Sequence, residues 1–261
     1  MSIPVLWQRA VANEIAYWSQ LSVVHTRLDG VFFVHDVYTA PPVNSAYAAH
    51  VPLGCEMAFA RGARDFYIQR GRSAQLQVAP WVVSPSLQGA LVDVGWIRAT
   101  DISVMSTDVL LDPTSAPPDI SIRLATSEDM VTWTTILARC FDLPEQAAFL
   151  NALRIGFLQG SVVSYLAEWQ GEPAGCAQLF LEAEMGGIYA VGTLPAFRHR
   201  GIARTLLARI LDDAMSRCGQ VCLQTVANSI AEHIYHGLGF RRLFVHECYY
   251  LPLLGRKYQP V

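Results

Sequence analysis

The sequence predicts a mixed α/β (α+β) protein with two similar domains in tandem, each built on a mostly antiparallel central sheet flanked by helices. Three observations predict this fold. They are a proline-rich break near the middle of the 261 residues, a hydrophobic period that switches between strand and helix after the break, and a weak internal repeat across it. The length also fits two domains, because single hydrophobic cores stop growing at roughly 250 residues.

The break lies at 112–119, where three prolines and small polar residues interrupt the apolar pattern on both sides. This composition is typical of a linker. We therefore expect a first domain at 1–112, a linker at 113–119 and a second domain at 120–261.

The second domain begins with a strand and two helices. Apolar and polar residues alternate over 120–124 as in a strand, and 126–129 supplies a cap and acidic residues for a helix start. The first helix places its apolar residues on one stripe, namely Met130, Trp133, Ile136, Leu137, Cys140 and Phe141. Pro144 opens a second helical stretch that ends near Gly160 and has one apolar face, namely Phe149, Leu150, Leu153 and Phe157.

Three strands in an antiparallel meander come next, at 162–169, 174–183 and 188–193, with turns at 170–173 and 186–187. A long amphipathic helix then begins at Gly201 and stops at Gly219. The domain ends with a strand at 221–226, a short helix capped by Ser229, and strands at 243–246 and 249–251.

An internal repeat links the two domains. A shift of 144 residues lays 239–242 over 95–98, the helix at 230–238 over 86–94, and the strand at 221–226 over 77–82. The match rests on patterning more than on identity. The first domain is expected to be the altered copy, because no basic, glycine-containing loop stands at the corresponding place near 54–57.

Composition excludes several classes of partner. With a formal net charge of -3 the chain has no basic excess to neutralise phosphates, so no nucleic-acid partner is expected. The N-terminus carries Arg9 and Glu14 where a signal peptide needs an apolar stretch, and no apolar run is long enough to span a membrane. We expect a cytoplasmic protein without a membrane partner. A charged fraction of only 16% is compatible with a homodimer.

The cysteines predict no disulfide framework and no metal site. Six cysteines are scattered along a chain that has no export signal, which is typical of reduced, buried thiols. The alternative, a metal set, would combine a cysteine pair with downstream histidines, namely Cys218, Cys222, His233, His236 and His246. The pair lacks the two-residue separation of a zinc knuckle.

The clearest chemical signal follows the third strand of the meander. The chain runs through a proline turn into 198–203, Arg-His-Arg-Gly-Ile-Ala, at the start of the long helix. A helix start offers unpaired N–H groups and partial positive charge to an anion, and Gly201 lets a ligand approach the backbone. Three arginines add charge without a neighbouring carboxylate: Arg198, Arg200 and Arg204. The alternative is an ordinary helix start with solvated arginines. ATP and NAD are not expected, because the loop lacks the lysine and serine of a P-loop and two glycines of a dinucleotide fingerprint.

At these positions the sequence resembles the GNAT superfamily of acetyl-coenzyme A-dependent N-acetyltransferases. The family's phosphate loop has Arg or Gln, two residues, Gly, one residue, then Gly or Ala, as in Arg198, Gly201 and Ala203. A second family feature, an Asn followed by a short helix with Tyr and then Gly-Phe, is matched by Asn228, Tyr235 and 239–240. The resemblance covers 120 to about 251, and the first domain is similar to a degenerate GNAT domain.

The resemblance implies acetyl-CoA as cosubstrate, with backbone groups of the third strand on the pantetheine arm and loop amides on the pyrophosphate. Asn228 would bind the pantetheine or order the loop. The implied cofactor-binding residues are Val191, Thr193, Arg198, His199, Arg200, Gly201, Ile202, Ala203, Arg204 and Asn228.

The resemblance also implies that an amine attacks the thioester directly, without a covalent enzyme intermediate. Tyr235 would protonate the departing thiolate as general acid; the alternative is a core tyrosine. A base must deprotonate the amine, and Glu182 or Glu184 on one strand face are the candidates, with a solvated hairpin tip as the alternative. Tyr165 and Tyr189 are candidates for lining the acceptor groove.

The sequence thus predicts an N-acetyltransferase that acts on a small-molecule or peptide amine. The first domain is expected to supply a wall of the acceptor site or a dimer surface. A non-catalytic acyl-CoA-binding or sensor module is the alternative, and use of a longer acyl-CoA stays open because the loop recognises the nucleotide and pantetheine.

Overall fold

The computed structural model describes residues 3–28, 30–36, 38–39, 41–48, 50–111, 117–141, 162–182 and 184–253. Its helices are α1 (Val5–Ser19), α2 (Glu56–Ile68), α3 (Pro85–Asp93), α4 (Met130–Cys140), α5 (Ile202–Met215) and α6 (Ile230–Gly237). Its strands are β1 (Val23–Arg27), β2 (Gly30–Val34), β3 (Ser45–Ala48), β4 (Ala74–Val78), β5 (Ile97–Arg98), β6 (Ile102–Thr107), β7 (Ile120–Leu124), β8 (Val162–Trp169), β9 (Glu172–Glu182), β10 (Met185–Thr193), β11 (Val221–Val226) and β12 (Arg241–Leu251).

The strands of the described residues form one continuous sheet in the order β1-β2-β3-β4-β12-β6-β11-β10-β9-β8-β7, with β5 paired to β12. Among them, β3 with β4 and β10 with β11 are parallel pairs, whereas the other pairs are antiparallel. The prediction of a mixed, mostly antiparallel sheet flanked by helices is confirmed.

The helices cover both faces of this sheet. In the second half, α5 packs on β7 to β11 through apolar residues at helical spacing, among them Ile202, Leu206 and Ile210. On the opposite face α1 and α4 cover β9 and β10. In the first half, α2 and α3 pack together and share a core with Trp96 and Tyr249.

Most predicted elements of the second half are present with nearly the predicted bounds, including the capped start of α6, where Ser229 accepts a hydrogen bond from the Glu232 amide. The helix predicted at 144–160 lies outside the described residues. Two predictions were wrong in detail. The two short C-terminal strands are one strand, β12, because it passes from one set of neighbours to another without a break: it pairs with β6 as far as His246 and with β4 from Glu247 onward.

The second correction concerns the predicted turn at 186–187. Gly186 and Gly187 lie inside β10, and Glu184 at φ 57° belongs to the turn before it. These glycines serve close packing instead. A Cβ on Gly187 would lie 2.0 Å from Oδ1 of Asn13, so α1 approaches the strand backbone more closely than any side chain would allow.

The internal repeat is visible in the fold. A shift of 144 residues carries 97–107, which holds β5 and β6, onto β12, and it carries α3 onto α6 within one residue. The strand predicted at 77–82 instead ends at Val78, because Pro80 cannot extend a sheet ladder.

The two halves exchange their last strands. β6 from the first half lies between β11 and β12 of the second half, and the end of β12 pairs with β4 and β5 of the first half. The strands of each half are therefore joined, within the continuous sheet, by a strand from the other half of the chain.

Candidate functional site

The first feature of the site is a separation of β10 from β11. Their parallel ladder joins three residues of β10, Gly186 to Ile188, to β11. β10 then continues to Thr193 along β9 alone, with an irregular register after Tyr189 and with Ala190 at φ 54°. The β11 side of β10 between 189 and 193 is consequently open, and this stretch includes Val191 and Thr193.

The second feature is the loop from β10 to α5. His199 and Gly201 both have positive φ, 62° and 86°, which turns the chain sharply into the helix. Gly201 is the N-cap of α5, and no side chain caps the helix. The first-turn amides lack partners within the helix, so their N–H groups and the helix dipole favour an anion. The first turn contains no acidic residue.

The arginines of the loop differ in their contacts. Nε of Arg198 donates to the Thr193 carbonyl at 3.2 Å, which ties the loop to the end of β10. Arg200 lies over the Trp169 ring, 4.9 Å from its centre. Arg204 is exposed on the first turn of α5. All three arginines lie around the helix start. Arg198 and Arg200 are each held by a contact, whereas the Arg204 side chain has none of these contacts among the described residues.

The equivalent elements of the first half lack both features. There β3 runs parallel to β4, and all four residues of β3 are paired with it, so the strands do not separate. The helix after β3, α2, begins with Glu56 in its first turn, which repels an anion. The absence of a basic loop near 54–57 thus coincides with the absence of an open strand pair.

Asn228 lies where the second motif predicts, between β11 and α6, with φ 60°. Its side-chain oxygen accepts a hydrogen bond from Arg242 at 2.9 Å, and Arg242 also forms a two-point ion pair with Glu232. The Arg242 guanidinium lowers the pKa of the buried Glu232 carboxyl to about 2. This pair fixes the start of α6 and the conformation of Asn228.

Tyr235 is half-buried on α6 and packs on the core that also contains Val191. Its ring meets Phe240 edge-on at 5.9 Å. Burial raises the pKa of its hydroxyl to about 12, so the phenol is protonated at neutral pH. Its hydroxyl makes no hydrogen bond within the described part of the chain.

The structure places Glu182 and Glu184 away from the strand opening. Both lie at the β9–β10 turn, and Glu184 forms an ion pair with Arg9 of α1. Six residues of extended strand separate this turn from Val191, a span of roughly 20 Å. The two carboxylates instead border a shallow pocket of about 290 Å³ with Arg217 and Cys218. This position disfavours them as bases for a group held at the opening.

Tyr165 and Tyr189 fall on opposite faces. Tyr165 lies under α5, where its hydroxyl donates to Asp213 at 2.9 Å. Tyr189 faces α1, stacks on Tyr17 at 3.6 Å and donates to Asn13. Of the two, Tyr189 is thus the one beside the strand opening.

Sequence reasoning missed a buried polar cluster beneath α1. Asn13 binds three carbonyl oxygens of the β9–β10 hairpin, and the fully buried Glu14 accepts a hydrogen bond from Tyr47. The only signal in the sequence was a pair of polar residues on an otherwise apolar helical stripe.

The candidate metal set is not assembled. Within the residues that the structure describes, no three histidine, cysteine or acidic side chains are grouped as a metal site requires. All six cysteines are free thiols. No described helix has the length and apolar character that a membrane span needs.

Comparison with known proteins was consistent with this geometry. Residues 130–240 match the model of the acetyltransferase (GNAT) family. A mycothiol acetyltransferase of Kineococcus radiotolerans is 28% identical over 170 residues, which are 61% of this chain and 56% of that protein. The chain therefore spans a little over half the length of the curated relative it matches.

Solved structures share the fold over nearly the whole chain. A GCN5-related N-acetyltransferase from Kribbella flavida has a TM-score of 0.71 at 18% identity, covering 96% of this chain and 97% of that one. One from Sphaerobacter thermophilus gives 0.68 at 16% identity, with 99% and 94% covered. A tandem GNAT protein from the clavulanic acid biosynthesis pathway gives 0.57 at 13% identity, with 88% and 80% covered.

Proposed function

We propose that the protein, whose residues 130–240 match the acetyltransferase (GNAT) family, transfers an acetyl group from acetyl-CoA to a primary amine. The transfer takes place where β10 and β11 separate. The amine attacks the thioester directly. The acceptor is a small-molecule or peptide amine, and the mycothiol acetyltransferase relative favours a small molecule.

One observation carries the proposal: an open parallel strand pair leads directly into an uncapped helix start. The amides of the first turn of α5, together with Arg198 and Arg204, suit a pyrophosphate, and Gly201 supplies the φ of 86° that turns the chain into this helix start. The unpaired edge of 189–193 suits the amide groups of a pantetheine arm. The residues present therefore fit acetyl-CoA.

The proposed roles of the remaining residues follow from their positions. Tyr235, protonated at neutral pH, donates its proton to the leaving thiolate. Asn228, held by Arg242, orders the loop after β11.

We propose that the domains are 1–112 and 120–261, joined by a linker at 113–119, with their last strands exchanged. The first domain has lost the cofactor loop and supplies α1 as a wall over the acceptor face of the second.

Calorimetric titration with acetyl-CoA, CoA and a longer acyl-CoA tests the cofactor site. We expect one binding site per chain in the micromolar range. Gly201→Glu should weaken binding more than 100-fold, because it strains the left-handed φ of 86° and adds a negative charge at the helix start. Gly54→Glu is the matched control, since Gly54 precedes α2 in the first half with a similar φ of 84° and its Cβ would meet no atom within 4 Å.

Two binding sites per chain, or equal losses in both variants, would contradict the assignment of the cofactor to the second half alone. Binding of acetyl-CoA without transfer to any amine would favour the acyl-CoA-binding module instead.

A further inference from the structure

α1 buries polar residues against the second half of the chain. Its buried positions are Ala10, Asn13, Glu14 and Tyr17. Asn13 holds the β9–β10 hairpin and the Tyr189 hydroxyl, so its polar atoms are satisfied. Glu14 is different, because a buried carboxylate is costly unless every lone pair finds a donor.

Only one oxygen of Glu14 is satisfied. Oε1 accepts a hydrogen bond from Tyr47 and lies 3.5 Å from Nε2 of Gln77. Oε2 is buried and has no hydrogen-bond partner among the described residues. Oε1 of Gln77 is also buried without a partner among the described residues, whereas the Gln224 side chain hydrogen-bonds with Tyr189. Two buried acceptor atoms without donors, Oε2 of Glu14 and Oε1 of Gln77, suit a ligand that donates hydrogen bonds.

The cluster lies at the apex of the strand opening. The ladder between β10 and β11 ends at Ile188 and Leu223, and the next residues along the two strands are Tyr189 and Gln224. Tyr189 is held by Asn13, the neighbour of Glu14 on α1. α5 covers the other face of the sheet, so Glu14 and the anion-binding helix start lie on opposite faces of the opening.

We propose that Glu14 is the proton acceptor for the amine substrate, a role that rests on the proposed acetyl transfer. The acceptor enters on the α1 face as an ammonium ion and donates a proton to Oε2 of Glu14. The neutral amine then forms the C–N bond as the C–S bond breaks. Tyr235 protonates the thiolate, and the amine's second proton restores the phenol. The products are the N-acetyl amine and CoA, with one proton left on Glu14 for release to solvent.

Glu14 is suited to this task by its neighbours, which stay neutral near pH 7. The titratable groups that face it are Tyr47, Tyr189, Cys222, Cys248 and, packed on the Tyr47 ring, His246. Burial raises the pKa values of these phenols and thiols and lowers that of His246 to about 4. Burial also raises the pKa of Glu14 to about 7, against the lowering effect of contacts with Tyr47, Gln77 and Trp18. Glu14 alone in this group thus changes charge near neutrality, where a general base works best.

The test compares wild-type protein with Glu14→Gln, which keeps the size of the side chain. Acetyl-CoA affinity is measured by calorimetry, and thiol release is followed from pH 5.5 to 9 with ethanolamine, glucosamine, spermidine and the dipeptide Ala-Ala as probes. Glu14→Asp retains a carboxylate, Glu182→Gln tests the hairpin-turn alternative, and the exposed Glu128→Gln is the matched control. Thermal unfolding verifies that each variant is folded.

We expect Glu14→Gln to bind acetyl-CoA with wild-type affinity and to lose roughly 10²- to 10⁴-fold in kcat. The inflection of kcat/KM near pH 7 should disappear in Glu14→Gln and persist at a lower rate in Glu14→Asp. A purely structural role would lower stability or rate without removing the inflection. An unchanged pH profile in Glu14→Gln, or loss of the inflection in Glu182→Gln instead, overturns the assignment of Glu14. If the wild-type protein binds acetyl-CoA and acetylates none of the four probes, the transferase proposal fails, and the role of Glu14 fails with it.

Discussion

Replacing Glu14 by glutamine should make the stability of the protein less dependent on pH. Burial raises the pKa of this carboxyl from 4.5 to about 7, so between these values the folded protein holds a proton that the unfolded chain has released. Stability that is intact below pH 4.5 is therefore lost as the pH rises towards 7, and the loss is constant above it. One pH unit corresponds to about 1.4 kcal/mol, so the full cost is about 3 kcal/mol.

The measurement is urea unfolding of wild type and Glu14→Gln at pH 5, 6, 7 and 8. The amide cannot titrate, so the variant should gain about 2.5 kcal/mol on the wild type between pH 5 and pH 8. A pH-independent effect of the substitution, such as the cost of burying an amide without a partner, changes the free energy of unfolding equally at pH 5 and pH 8. It therefore leaves this gain intact. Glu128→Gln, at an exposed position, should show no gain. Parallel stability curves for wild type and Glu14→Gln would refute a buried, protonated Glu14.

Further predictions concern the cofactor site and the exchanged strands. Gly201→Glu should weaken acetyl-CoA binding more than 100-fold in calorimetry, since each like-charge contact near the pyrophosphate opposes binding. Tyr235→Phe should lower kcat at least tenfold with little change in acetyl-CoA affinity, and a variant with full activity would remove the general-acid role. Arg242→Met removes the guanidinium from the buried Glu232 carboxylate, which keeps the Asn228 amide as a donor, and should cost about 3 kcal/mol in urea unfolding; a loss below 1 kcal/mol would contradict this. The fragment 120–261 should fail to fold alone and should be rescued by co-expression with 1–112, because β6 lies at the centre of its sheet.

Local rules were sufficient for most of the second half. The periodicity of α4 and α5, the cap at Ser229 and the turn signals between β8 and β9 are short-range features, and the structure follows them closely. Glycine misled the prediction at 186–187, because the same residue serves a turn and a close helix contact. The distinction depends on Asn13, which lies far away in the sequence.

The residues of the candidate site also separate into those that local sequence patterns reveal and those that only the fold brings together. The loop at 198–203 and the motif around Asn228 are contiguous in sequence, so pattern and resemblance suffice to single them out. Glu14, Tyr47 and Gln77 come from three separate elements and meet only because α1 packs across the junction of the two halves. No local pattern distinguishes Glu14 from a surface glutamate of an amphipathic helix. Glu182 and Glu184 became candidates through strand alternation, with a solvated hairpin tip as the alternative, and alternation does not tell how far along the strand they lie from the opening.

The strand exchange gives the first half a structural role in the sheet of the second half. A parallel pair that stays closed, with an acidic residue at its helix start, has no use as a cofactor site. Yet β6 completes the sheet of the second half, and losing it would leave β11 and β12 with unpaired edges. α1 is connected to this arrangement through β1 to β4, so its position over the strand opening is fixed by the same sheet that contains β10 and β11. The proposed proton acceptor, Glu14, and the proposed proton donor, Tyr235, thus come from different halves of the chain and are held at their common junction.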